Sequence, residues 1–249
     1  MSAEAPTHGI RRESTLCLSG SGYRAALFHL GALTRLNELG MLAGIETVGA
    51  AGGGSILAAL LATRVPWPLC DCYPDWPAAV AKPMRGIARD NPIPTGPADA
   101  AVEEGFAREL VDSGGGDADG GPRFVFGAAG LTLGEMGRDG EDNLRWEIGG
   151  SVGPIGYDLS LVDDVISAVR TDLDSFSEAE QAVLENHGYL LADAAVRRNG
   201  RDLSAVHPPA VPPHPAWMDE AKVRLALAAS SRRTRMRHIR VIRVLRRGY

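Results

Sequence analysis

Two glycine turns hold the residues whose types and spacing could do chemistry. Gly20-Ser21-Gly22 follows the apolar run Thr15–Leu18 and leads into a segment carrying Leu27, Leu30, Leu33 and Leu36 along one side. Gly52-Gly53-Gly54 follows the short run Glu46–Gly49 and leads into Ser55–Thr63. A glycine turn between a buried strand and a helix brings backbone N–H groups to the positive end of the helix dipole. Such a turn binds anions, whether a phosphate or the oxyanion of an acyl-transfer intermediate.

Three readings compete. Gly20 to Ala25 fits G-x-G-x-x-A, the dinucleotide fingerprint, but that fold wants an acid at the end of the second strand to hold ribose hydroxyls, and Glu46 opens that strand instead. A phosphate loop of the G-x-x-x-x-G-K-[ST] type is absent from the sequence. In the third reading, acyl transfer, the first turn is an oxyanion hole and the second a nucleophile elbow.

The stretch LCLSGSGYRAALFHLGALTRLNELGMLAGIETVGAAGGGSILAALLA, residues 16–62, resembles the N-terminal part of the patatin-like phospholipase family. Residues 123–135 and 170–198 are similar to its middle strand and C-terminal helices, and the three stretches cover a little over a third of the chain. The resemblance implies a parallel α/β core and a lipid acyl hydrolase with a Ser–Asp dyad and no cofactor. Its substrate would be a lipid or lipid-like acyl ester. Gly20, Ser21, Gly22 and Arg24 then match the family's oxyanion loop, G-G-G-x-[RK], with only the middle glycine changed. The elbow departs from the pattern. Gly52 stands where the family has its serine and Ala50 replaces the first elbow glycine, while Gly53 and Gly54 are retained. Glycine cannot form an acyl-enzyme. The family's aspartate belongs to a D-G-[GA] motif after the middle strand. Here the only Asp-Gly-Gly begins at Asp119, before that strand and inside a Gly/Asp-rich loop, and the segment that would carry the aspartate looks deleted. Gly149-Gly150-Ser151-Val152-Gly153 matches the elbow motif literally, but Pro154-Ile155-Gly156 follows it where a helix should start, so it reads as a turn. The expectation is a degenerate, catalytically impaired hydrolase. The alternative is a membrane-surface or partner-binding pseudoenzyme that uses its basic tail.

The elements that must position these turns follow from the patterning. Strand, glycine turn, helix, strand, glycine turn, helix predicts a parallel sheet with right-handed crossovers. The first helix runs from Tyr23 to Leu39 and stops at Gly40; the second, Ser55–Thr63, is apolar all round and so predicted buried. Prolines between Val65 and Pro97 predict irregular connections with short helical pieces. Ala98–Leu110 is helix-competent, and Arg123–Phe126 and Asn143–Ile148 read as strands. Ser177 and Glu180 form a capping box that opens a helix ending near Gly188, with a further helix to about Arg198.

The 249 residues are enough for one well-buried domain, and 45% hydrophobic with 23% charged residues excludes a wholly disordered chain. The longest apolar run, Ile56–Ala62, is far short of a bilayer span, and the first residues carry no apolar signal region. Cys17, Cys70 and Cys72 suit neither a disulfide framework nor a four-ligand zinc site. A reducing, cytoplasmic compartment is expected. The net charge of −5 conceals a split: residues 1–220 carry 16 basic and 31 acidic side chains, whereas 221–249 carry ten basic and no acidic ones. The division is therefore an α/β domain over 12–205, a proline-rich linker over 206–217 and a basic tail over 218–249. The tail reads equally as an amphipathic helix on an anionic membrane or as a disordered cationic segment, with no specific nucleic acid expected. His29 is expected to be a packed histidine rather than a catalytic one.

Overall fold

The computed structural model describes residues 14–93, 100–114, 121–126, 156–199 and 209–228. β1 (Ser14–Leu18) leads through the first glycine turn into α1 (Gly22–Glu38); β2 (Ile45–Ala50) leads through the second into α2 (Gly53–Arg64). There follow α3 (Lys82–Asp90), α4 (Ala100–Gly114), β3 (Arg123–Phe126) and α5 (Glu178–Asn199), and residues 220–228 form α6. The sheet order is β1-β2-β3, all parallel, with Leu18 beside Ala50 and Ala50 beside Phe126. This is an α/β fold with helices flanking a three-stranded parallel sheet. In that register both glycine turns leave the carboxyl edge of the sheet side by side, where ligand sites of open α/β sheets form.

α1 stops where its glycine allows: Gly40 has φ 68°, in the left-handed region, and the Leu39 and Gly40 amides close the last turn on Arg35 and Asn37 carbonyls. α2 is buried from Gly53 to Ala62, which accounts for its apolar profile on every side. The capping box forms as expected. Ser177 N–H donates to Glu180 Oε2 at 2.7 Å and the Glu180 amide returns to Ser177 Oγ at 3.3 Å. Two expectations are corrected. The segment after Trp76 is helical without a break from Pro77 to Asp90: Pro77 sits in the first turn, where no amide is needed, and Pro83 lies just after the opening π-turn passes into α3. Gly188 does not end a helix either: α5 runs through it to Asn199.

The reason is packing. α5 lies against α1, and a Cβ at Gly188 would land on the Phe28 carbonyl of α1, while one at Gly31 of α1 would land on the Glu185 carbonyl of α5. Two backbones touch where each has no side chain, and the contact holds the helix that starts at the first glycine turn. Beside it, Arg35, 1% exposed, is bound by Asp193 of α5 at 2.8 Å and by Glu38 at 2.9 Å, with the Tyr189 hydroxyl at 3.3 Å. Trp67 and Trp76 are core residues whose indole N–H groups reach the Leu61 carbonyl and the Thr34 hydroxyl.

The described part of the proline-rich segment does not hang free. Asn186 of α5 holds His214 by both of its backbone groups, at 2.8 and 2.9 Å, and His214 Nε2 lies 3.0 Å from Glu185 Oε2. α6 then buries Val223 and Leu227; Lys222 sits over the Trp217 ring and Arg224 reaches the Ser160 hydroxyl. The start of the basic tail is thus docked on the body, and residues 229–249 lie outside the described part. No helix among the described residues is long and apolar enough to cross a membrane.

Candidate functional site

The two glycine turns are laced together by their own backbones. Ala51 N–H donates to the Leu18 carbonyl at 2.9 Å, and Gly53 N–H donates to the Gly20 carbonyl at 2.6 Å. A Cβ at Gly53 would strike the Gly22 carbonyl and one at Gly54 the Leu18 carbonyl, so both glycines have a packing reason to be there. Ser21, the changed position of the first turn, is extended at φ −94°, ψ 142° and needs no glycine; Gly20 and Gly22 carry the positive φ values, 120° and 68°.

Gly52 caps α2 at φ 57°, ψ −137°, between the end of β2 and the first turn of the helix. It makes a sharp strand-to-helix turn of the kind a nucleophile elbow also needs, in a region that L side chains rarely adopt. The place a side chain would fill is taken: a Cβ there would lie 2.6 Å from the Gly20 carbonyl oxygen and 2.9 Å from Glu103 Oε2.

Glu103 comes from α4 and is fully buried. Its Oε1 accepts the Gly22 N–H, the first amide of α1, at 2.5 Å. A carboxylate thus occupies the point where the N-termini of α1 and α2 converge, and it engages a donor that an oxyanion would use. Sequence reasoning missed it. The available signal was phase: Glu103 stands three and four residues before Phe106 and Ala107, on the stripe by which α4 meets the body, and Ala107 is fully buried. Around it, Tyr23 donates its hydroxyl to Asn91 Oδ1 at 2.8 Å. Burial pushes that phenol's pKa well above its usual range, and the neighbouring Glu103 charge adds to the shift.

Arg24 gives both its bonds to the Ser167 and Val169 carbonyls, at 2.9 and 3.0 Å, which fixes α1 against the 156–176 segment. Asp119, Ser151 and the Asn143–Ile148 segment lie outside the described residues. Ser55 is fully buried in the first turn of α2, and its hydroxyl has no hydrogen-bond partner among the described residues. None of Cys17, Cys70 and Cys72 is in a disulfide; Cys70 and Cys72 are exposed. Among the described residues no group of three or more His, Cys, Asp or Glu gathers as a metal ion would require.

His29 is the histidine nearest the turns. Its Nε2 lies 2.8 Å from the Ser19 carbonyl, which only accepts, so Nε2 carries the proton and steadies the entry to the first turn. Burial lowers its pKa, and the bond to Ser19 offsets part of that. A histidine with a depressed folded pKa binds more protons unfolded than folded below the unfolded value. Its contribution is therefore intact above about pH 6.5 and is lost as pH falls from there to the lower folded pKa. In melts from pH 8 to pH 5 the melting temperature of the protein should fall further than that of His29→Gln. Parallel curves for the two proteins would show that His29 does not titrate in this way.

Compared with family models, with curated proteins and with solved structures, the chain has no match.

Proposed function

We propose that this chain is a patatin-like α/β domain descended from lipid acyl hydrolases that no longer cleaves esters: a pseudoenzyme whose former catalytic pocket is closed on its own groups. The observation that carries the reading is Gly52. It has the backbone turn an elbow serine requires, no side chain, and the Gly20 carbonyl 2.6 Å from where a Cβ would be. Around it the donors are engaged, Gly53 N–H by Gly20 and Gly22 N–H by Glu103. In a serine hydrolase, losing the nucleophile alone lowers turnover by about 10⁶.

The test is a p-nitrophenyl ester and phospholipid assay of the full chain, together with labelling by a fluorophosphonate that reacts with activated serines. The expected result is turnover at the rate of buffer and no label. Turnover that survives Ser151→Ala, or a label on any serine, overturns the reading; turnover abolished by Ser151→Ala overturns it too and moves the active centre to the 149–153 motif.

A further inference from the structure

We infer that Cys70 and Cys72 form a reversible redox centre, a dithiol that a hydroperoxide closes to a disulfide across Asp71 and a thiol reductant reopens. The inference is independent of the ancestry of the fold. The chain has three cysteines, all within the described residues, and none is in a disulfide. Cys17 lies half-buried in β1, where burial pushes its thiol pKa up and keeps the sulfur protonated and unreactive. Cys70 and Cys72 are exposed, so an oxidant in solution reaches both.

The loop that carries the pair is held at both ends. Trp67 and Trp76 are buried on either side of it, with their indole N–H groups bonded to the Leu61 carbonyl and the Thr34 hydroxyl. Next to Cys72, the Asn37 side chain donates to the Tyr73 carbonyl at 3.0 Å and accepts the Tyr73 N–H at 2.8 Å. Asp71, between the cysteines, lies against the end of α1, its Oδ1 2.6 Å from where a Cβ on Gly40 would be. Two residues of fully extended chain span about 7 Å. The chain bends at Cys70 and Asp71, which shortens that span toward the roughly 4.4–6.8 Å between Cα atoms that a disulfide bridges. A bridge over one residue closes almost no loop, so it adds little stability and is no structural staple. An exposed bridge of this kind is the labile sort that thiols reopen.

In the closing reaction one thiolate attacks a peroxide oxygen and the O–O bond breaks. Hydroxide leaves, takes up the proton the thiol gave, and a sulfenic acid remains. The second sulfur attacks the first, the S–O bond breaks and water departs with the second thiol's proton. The two thiols lose two electrons, and hydrogen peroxide becomes two waters.

The test treats the folded full chain with a small excess of hydrogen peroxide, quenches with catalase, then unfolds and alkylates with N-ethylmaleimide. The peptide spanning Cys70 and Cys72 should be lighter by two hydrogens and unlabelled, while Cys17 labels fully. Dithiothreitol before alkylation should restore label at both sites. In Cys72→Ser, Cys70 should instead go on to sulfinic acid or link two chains. The inference fails if the unsubstituted pair ends as sulfinic acids or as disulfide-linked dimers, or if both thiols still label. It fails equally if Cys17 is consumed first, or if Cys72→Ser still yields a bridged monomer.

Discussion

Replacing Gly31 by alanine should lower the melting temperature by roughly 6–12 °C or prevent folding. The new Cβ would sit on the Glu185 carbonyl oxygen of α5, a backbone atom that cannot rotate aside. The helices would have to separate, and that opens the layer in which Leu27, Leu30 and Leu184 are buried. It also pulls Arg35 from Asp193, which costs the buried guanidinium one of its two carboxylates. Gly188→Ala should behave alike, since its Cβ meets the Phe28 carbonyl. Gly86→Ala is the control. Nothing lies within 4 Å of a Cβ there, and it stands inside α3, so it should stabilise by about 0.5–1 kcal/mol through helix propensity alone. Circular dichroism melts of the three variants decide the matter. A Gly31→Ala protein that melts with the unsubstituted chain would mean that α1 and α5 do not cross where the two glycines face.

That crossing marks what could be read from the sequence and what could not. Strand, turn and helix around both glycine turns were legible because each is a local decision: Thr15–Leu18 is short and apolar, Gly40 supplies a left-handed residue, and Ser177 and Glu180 satisfy each other's amides. Gly188 was misread as a stop because the same residue type serves two ends. A glycine ends a helix when it frees φ, and it sits inside one when another backbone needs its space. Only the partner helix, about 160 residues away in sequence at Phe28, distinguishes them. The docking of the described proline-rich residues is likewise set from a distance, by Asn186 and Glu185 of α5, which hold His214 in place.

The candidate site divides along the same line. The sharp turn at Gly52 between β2 and α2 could be inferred from neighbouring residues. The carboxylate that fills the pocket could not, because Glu103 is 81 residues from the amide it binds and its helix carries no motif. With Glu103 in place the two turns are not an empty oxyanion pocket lacking only a nucleophile. They are a closed contact in which carbonyl and carboxylate already meet the donors.

Gly52→Ser should therefore confer no ester hydrolysis, although it places a hydroxyl at the turn. Three effects act together. The serine Cβ would lie 2.6 Å from the Gly20 carbonyl, so the first turn must shift and break the Gly53–Gly20 hydrogen bond. A side chain at φ 57° adds strain of about 1–3 kcal/mol. Last, Glu103 lies close enough to accept the serine proton, but its other oxygen holds the Gly22 amide, and a donor engaged by one anion does not stabilise a second forming beside it. The expected measurements are a melting temperature lowered by roughly 4–10 °C and p-nitrophenyl ester turnover no faster than the unsubstituted chain. Adding Glu103→Ala removes the carboxylate but leaves the Gly20 carbonyl in the way, so the double variant should also be inactive. If Gly52→Ser instead turns over ester and loses that rate with Glu103→Gln, then Glu103 is a competent base, the pocket keeps a working oxyanion site, and only the hydroxyl was missing.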